Sequence, residues 1–284
     1  MKNDVFNFNR FGRYLVTDIK NAVSRYGISL LVLASFSFAG YLLAGLFSSV
    51  VGLKWYSMPV DGRLTLFVFI TFIVLTMGPS KIYGFITDKK EGAQFLMLPA
   101  SPLEKTISMI IVACILMPLA YFAIYFSLDE LLCLFDPNCG NPIIMAIHEF
   151  RYDSVARVVN NMQSDELSGW TRPAFMLDDI AQTAMVFLLG ALVFKTSKTA
   201  KTIGCMILLT LVLSMIIIPI ITCGGFDVLK AAITNDVTPY ELISQYPVLV
   251  WFFKHPLLAD FLIDTLWIVA LFVLILFRVK KIKH

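Results

Sequence analysis

The chain has 284 residues and a mean hydropathy of +0.79; 58% of its residues are hydrophobic and 15% are charged. A soluble domain averages roughly 45–50% apolar and 25% charged residues, so this composition excludes an ordinary soluble protein and predicts an all-α integral membrane protein. Each crossing needs about 20 apolar residues, so a single transmembrane domain over residues 1-284 has room for six transmembrane helices. The net charge of +3 is modest, and its distribution is more informative than its sum.

Residues 1-27 form an amphipathic arm. Its apolar side chains recur at spacings of three and four, and its basic side chains lie largely on the other face, which predicts an interfacial helix on anionic cytoplasmic headgroups. A disordered basic tail is the alternative. The apolar positions are Phe8, Phe11, Leu15, Ile19, Ala22 and Tyr26, and the basic ones are Arg10, Arg13, Lys20 and Arg25.

Six apolar runs follow the arm. We predict spans at 28-51, 64-83, from the helix start at Ser101 to about 126, and at 180-194, 202-222 and 257-277, with a kink at Pro118. The polar stretch 129-179 is an outer loop. Residues 223-256 contain a capping-box pattern and an aromatic run that is too short to cross a bilayer. This combination favours an outer interfacial or re-entrant segment.

Basic residues are distributed unequally between the two sides of these spans. One side, which carries both termini, holds 16 of the 23 Lys and Arg residues but only 5 of the 20 acidic residues. Because cytoplasmic loops carry the excess of Lys and Arg, we expect both termini to lie in the cytoplasm. The expected location of this multi-pass protein is the inner (cytoplasmic) membrane.

The cytoplasmic link 84-105 contains the most specific local signals. Ser101 followed by Pro102 and Glu104 is a capping box that begins the third span. Before it, Gly92 and Pro99 bracket a short apolar segment that is too brief to cross a bilayer. A short, exposed and partly apolar element of this kind is suited to contact a partner.

Catalytic and metal-binding motifs are missing from the sequence. His148-Glu149 does not continue into an H-E-x-x-H zinc motif, and the chain has no G-x-S-x-G and no Gly-rich phosphate loop. We therefore expect no enzymatic activity, no metal and no directly bound cofactor, and no nucleic-acid partner. Cys133 and Cys139 are close enough in sequence for a disulfide in an oxidising compartment, and two free thiols are the equal alternative.

A few polar residues fall within or beside the spans. Asp260 and Asp264 lie one turn apart near the outer end of the last span, and Gln182 lies in the fourth. Charge at membrane depth is costly and marks candidate transport pathways. The alternative is structural, since acidic residues stabilise a helix amino terminus and a glutamine can hold two helices together.

This combination resembles the membrane (permease) subunit of a type 2 ABC exporter. The similar features are the amphipathic arm, six crossings with both termini inside, the irregular outer segment before the last span, and the motif in the link. The motif has a glutamate-glycine, leucine-proline and serine-x-x-glutamate pattern, which stands here as Glu91-Gly92, Leu98-Pro99 and Ser101 to Glu104.

The resemblance implies that the link is a coupling helix docking on a separate ABC ATP-binding subunit, which binds ATP and Mg²⁺. It also implies a homodimer or a pair with a sibling permease, with an unidentified substrate exported between the two. Two alternatives stay open, a membrane scaffold or sensor accessory protein and an ion-coupled carrier using Asp260 and Asp264. The implied docking residues are Lys89, Lys90, Glu91, Gly92, Phe95, Leu96, Met97 and Leu98.

Overall fold

The computed structural model describes residues 6–52, 58–87, 92, 95, 97–136, 139–145, 147, 174–220 and 256–282, with the backbone alone for 174–178, 216–220 and 256–261. All regular structure in these ranges is helical. In chain order the elements are α1 (Phe8–Val50), α2 (Val60–Tyr83), a 3-10 turn (Gly84–Thr87), α3 (Pro102–Ile110), a π-helical turn (Ile111–Leu116), α4 (Met117–Phe135), α5 (Ala174–Val193), α6 (Lys198–Ile220) and α7 (Pro256–Lys281).

Five helical segments are long and apolar enough to cross a membrane. They are Phe8–Val50, Val60–Thr87, Pro102–Phe135, Lys198–Met215 and Leu262–Lys281. Helix α5 has a shorter apolar part at Asp179–Val193, although its 20 residues correspond to about 30 Å of helix. The predicted class, a helical multi-pass membrane protein, is therefore confirmed.

The amino-terminal arm differs from the prediction. Residues 8–27 are helical, but they continue without interruption into the first span as the 43-residue helix α1. The arm is therefore part of α1 and not a separate helix on the membrane surface. Gly27, the one weak point between the two parts, stays helical because a glycine inside a helix costs only about 1 kcal/mol, less than the packing of the turns on either side provides.

Pro118 has the effect expected of a proline inside a span. The preceding turn is π-helical, and the Met117 N–H donates to the carbonyl of Val112, five residues back. Because proline has no N–H and its ring crowds the preceding turn, the helix accommodates it by widening one turn. The third span is also longer than predicted, since α4 continues to Phe135, so the stretch 129–135 belongs to the helix and not to the outer loop.

Helix α5 lies at the centre of the bundle. It packs against α2, α6 and α7, and its core-facing side chains Ala184, Leu188, Ala191 and Leu192 are fully buried. Gly190 allows α6 to approach closely, because a Cβ there would collide with the side chain of Thr202. By contrast, most apolar side chains of α6 between 203 and 215 are exposed, as expected of a helix that faces lipid or another chain.

A buried ion pair fixes the end of the bundle where α2 begins and α4 ends. The Arg63 guanidinium donates to Asp129 at 2.7 Å and to the carbonyls of Cys139 and Asn141 at 2.7 and 2.8 Å. The second Asp129 oxygen accepts from the Ile143 N–H at 2.7 Å. The pair therefore holds two helices and the loop after α4 together, in a site where an unpaired charge would be costly.

We expect Asp129→Asn to destabilise the protein by several kcal/mol, because it leaves the buried Arg63 charge without its counter-ion; removing one partner of a buried pair costs about 3–5 kcal/mol. Asp61→Asn, at an exposed carboxylate nearby, should change stability by less than about 0.5 kcal/mol. Thermal unfolding in detergent micelles measures both. The double variant Arg63→Met/Asp129→Leu should recover part of the loss, and a double variant less stable than Asp129→Asn would contradict this account.

Candidate coupling site

The two described side chains that the docking hypothesis assigned to a partner groove, Phe95 and Met97, lie in opposite environments. Gly92, Phe95 and Met97 are helical, which agrees with a short helical element. Phe95 is 3% exposed and belongs to the main core, whereas Met97 is 82% exposed. The docking hypothesis placed both side chains in a groove of a partner. Met97 is available for such a contact, but Phe95 is already packed within this chain.

Glu104 is the centre of the hydrogen bonds that hold the end of the link. The predicted capping box is confirmed, since the Glu104 N–H donates to the Ser101 hydroxyl and the Ser101 N–H donates to the Glu104 carboxylate. The same carboxylate accepts from the Arg10 guanidinium at 2.8 to 3.1 Å and from the Asn7 N–H at 2.8 Å. One side chain therefore joins the link, the start of α3 and the start of α1.

Lys105 fixes the middle of the link. Its ammonium group is buried, donates to the carbonyl of Phe95 at 2.7 Å and lies 4.7 Å from the centroid of the Phe95 ring. A buried ammonium needs acceptors, and the carbonyl and the face of the ring provide them. The contact explains why Phe95 turns inward, since its backbone and its ring are both held by α3.

A second buried carboxylate joins three helices near the link. Asp18 of α1 is 8% exposed and accepts from the Tyr83 hydroxyl at 2.9 Å and the Ser108 hydroxyl at 2.6 Å. The sequence reasoning missed this residue because it read the polar side chains of the arm as a solvated face. A signal was present, since Asp18 lies four residues from both Tyr14 and Ala22 on the buried stripe of α1.

The other end of the link is also anchored. The Arg25 guanidinium of α1 lies 3.8 Å from the centroid of the Phe85 ring in the 3-10 turn. The Lys198 ammonium at the start of α6 donates to the carbonyl of Gly84. Both ends of the link are therefore bound to neighbouring helices.

A cleft opens beside these anchors. It has a volume of about 480 Å³ and lies between the first turns of α1 and the end of the link, with Arg13, Tyr14 and Pro99 among its lining residues. Its apolar lining is Leu98 and Pro99 beside the basic residues Arg10 and Arg13.

The remaining predicted site residues are only partly covered by the structure. Leu98 is half-buried and packs on the core. Lys89, Lys90, Glu91 and Leu96 lie outside the described residues, as do His148, Glu149 and the predicted outer segment up to residue 255. Within the described ranges no group of three or more His, Cys, Asp and Glu side chains is placed to hold a metal ion.

The candidate pathway residues lie on two helices that pack against each other. Gln182 is on α5 and its amide nitrogen is buried without a hydrogen-bond partner in the described part of the chain. Asp264 is half-buried on α7, and the side chain of Asp260 lies outside the described residues. The structure records no contact that joins the described pair, so their role in a pathway stays a prediction.

Cys133 and Cys139 lie next to the Arg63–Asp129 ion pair as free thiols. Their Sγ atoms are 3.0 Å apart, and Cys133 also accepts from Arg63 at 3.0 Å. Burial, together with the hydrogen bond to Cys133, raises the pKa of Cys139 to about 12. The two sulfurs are therefore close enough for the predicted disulfide, but little of Cys139 is thiolate at neutral pH.

We expect Glu104→Gln to loosen the amino terminus and lower the thermal stability, because one change weakens the ion pair with Arg10 and the capping box. A hydrogen bond to a charged group contributes about 1.5–3 kcal/mol and a helix cap about 1 kcal/mol. Thermal unfolding and the rate of proteolysis within residues 1–13 are the measurements. Glu130→Gln, at an exposed glutamate of α4, is the control, and equal behaviour of the two variants would refute the role of Glu104.

We expect mild oxidation to form a disulfide between Cys133 and Cys139, at a rate that increases with pH. A raised thiol pKa means that the reactive thiolate increases about tenfold for each pH unit below that value. Mass spectrometry of peptides without reduction measures the bond, and Cys139→Ser should abolish it while leaving Cys114 and Cys205 unpaired. A rate that levels off near pH 9, as it would for an ordinary thiol, would contradict the raised pKa.

Comparisons with protein-family models, with curated proteins and with solved structures give no match to this chain.

Proposed function

We propose that this chain is the permease subunit of a type 2 ABC exporter, driven by a separate cytoplasmic ATP-binding subunit. The observation that carries the proposal is the attachment of the link to α1, α3 and α6 through Glu104, Lys105 and Lys198. A motor can act on a bundle of helices only through an element that is connected to it, and these contacts connect both ends of the link to the bundle.

The proposed docking surface is revised in one respect. Because Phe95 is buried, Met97, which is 82% exposed, provides the apolar contact. The charged rim predicted from the sequence, Lys89, Lys90 and Glu91, lies outside the described residues. A few protruding side chains such as Met97 supply most of the binding energy of an interface. The ATP and Mg²⁺ belong to the partner, which hydrolyses the nucleotide, so this chain is itself no enzyme.

The proposal includes six crossings, with α5 as the fourth, so that both termini lie in the cytoplasm. Helix α5 supports this count because it is about 30 Å long and lies at the centre of the bundle. Six spans form half of a transporter, and the exposed apolar face of α6 supplies surface for a second copy or a sibling subunit. The substrate would pass between the two halves.

The mechanism follows from the anchors. Closure of the ATP-bound partner would displace Met97 and the link, and the link would move α3 through Lys105 and α1 through the ion pair between Arg10 and Glu104. Because the side chains that join these segments are buried or charge-assisted, the movement would be transmitted as a rigid-body displacement of helix ends.

We expect Met97→Asp to abolish co-purification of an ATPase with the protein, because it places a charge at the centre of the apolar contact; loss of such a central contact costs about 2 kcal/mol or more. Met145→Asp is the matched control, since Met145 is an exposed methionine at the opposite end of the bundle. Affinity purification from the native membrane, followed by mass spectrometry, is the measurement.

Phe95→Asp is unsuitable for this experiment, since a charge in the core would unfold the protein whatever the link binds. Retention of the ATPase by Met97→Asp, or the absence of any ATPase from the wild-type preparation, would overturn the proposal. Loss of transport in Asp264→Asn with assembly intact would instead favour the ion-coupled carrier.

A further inference from the structure

The cleft between the first turns of α1 and the end of the link has the size and the lining of a small-molecule site. Its volume of about 480 Å³ lies within the range of roughly 300–1,000 Å³ found for sites that bind small organic molecules. Most of its lining side chains can donate a hydrogen bond, and among the described residues no aspartate or glutamate lines it. The cleft is therefore suited to a ligand that accepts hydrogen bonds.

Arg13 gives this cleft a positive charge that nothing in the described part of the chain neutralises. Its side chain is exposed, lines the cleft and makes no hydrogen bond or ion pair with the described residues. The charge of Arg10 beside it is already balanced by Glu104. Asp18, one turn beyond Tyr14, does not line the cleft, and it accepts from two hydroxyl groups of other helices. The positive end of the α1 dipole lies at the same place and adds to the attraction for an anion.

Tyr14 provides a second, independent sign of a ligand. It is 8% exposed, and its hydroxyl makes no hydrogen bond with the described residues. Unlike the hydroxyl of Tyr26, which is fully enclosed, the hydroxyl of Tyr14 retains accessible surface. Because Tyr14 lines the cleft, this surface opens into it. A hydroxyl in a nearly buried side chain needs a partner, and an acceptor bound in the cleft would be that partner.

The donors in the cleft match a phosphate group. The planar guanidinium of Arg13 fits two phosphate oxygens at once, and the Tyr14 hydroxyl can donate to a further oxygen. The side-chain amide of Asn9 lines the same cleft. A carboxylate has only two oxygens for these donors, whereas a phosphate monoester has three terminal oxygens. The apolar lining, Leu98 and Pro99, offers a surface for the organic part of an ester.

We propose that this cleft binds a phosphate ester. The Arg13 guanidinium pairs with two of its oxygens, the Tyr14 hydroxyl donates to the third, and Leu98 and Pro99 pack against its organic part. The same chemistry is present in a small phosphorylated molecule from the aqueous phase and in the headgroup of a phospholipid. The site goes beyond the proposed exporter function and does not depend on it, because binding requires only this chain.

The test measures the affinity of the purified full-length protein for two phosphate esters. Calorimetry in detergent micelles compares glycerol 3-phosphate with glycerol, and native mass spectrometry compares phosphatidic acid with diacylglycerol of the same acyl chains. Arg13→Gln should weaken binding of the phosphate compound by about tenfold or more, because it removes a charge-assisted pair of hydrogen bonds. Lys20→Gln is the matched control, since Lys20 is an exposed cation of the same helix that does not line the cleft.

Tyr14→Phe separates the site from the fold. It should weaken binding by about fivefold, as expected for one neutral hydrogen bond. It should leave the thermal unfolding of the ligand-free protein unchanged, because the hydroxyl has no partner among the described residues; unchanged affinity would contradict its role as a donor.

Two outcomes identify the source of the ester. Binding of glycerol 3-phosphate supports a ligand from the aqueous phase, and binding of phosphatidic acid alone supports a lipid headgroup. The site is overturned if neither phosphate compound binds more tightly than its phosphate-free counterpart, or if Arg13→Gln and Lys20→Gln bind equally well.

Discussion

The carboxylate of Glu104 is the interaction on which the rest of this structure depends. It has no exposed surface, and its partners are the Arg10 guanidinium and the N–H groups of Asn7 and Ser101. A buried charge is stable only when all of its hydrogen-bonding capacity is used, so these partners cannot separate independently. The first turn of α1, the end of the link and the first turn of α3 therefore form one unit.

The polar contacts of the bundle lie mainly at its two ends, whereas its middle is held together by the packing of apolar side chains. At the end that carries the link, Asp18 and Lys198 each join segments that are distant in sequence. At the opposite end, the pair of Arg63 and Asp129 does the same. Close approach of helices is achieved by small residues, as at Gly190. The ends are therefore fixed in their geometry, which is the condition for transmitting a displacement of the link.

The buried stripe of α1 continues from the end of the bundle that carries the link into the core. Tyr14 and Asp18 lie near the link, and Ala22, Tyr26 and Leu30 follow at intervals of four residues on the same face. The polar contacts of Asp18 and the apolar packing further along α1 therefore belong to one continuous helix face.

The parts of the structure that the sequence predicted are those governed by local spacing. The capping box connects residues three positions apart and was predicted as such. At Pro118 the sequence predicted a kink, and the structure has a π-helical turn directly before the proline. The continuity of α1 was missed because periodicity distinguishes an amphipathic stretch from an apolar one but does not give the angle between them. The inward position of Phe95 was missed because a short apolar segment contains no information about which of its side chains meets a core.

By itself, the sequence determined the membrane class and the helical architecture, since a bilayer leaves a chain of this composition few other ways to satisfy its backbone hydrogen bonds. Only the tertiary structure decided which charges are buried and paired. Arg10 meets Glu104 across 94 positions and Arg63 meets Asp129 across 66. Such pairs depend on how whole helices pack against one another, and that packing is not encoded in the spacing of residues along any one of them.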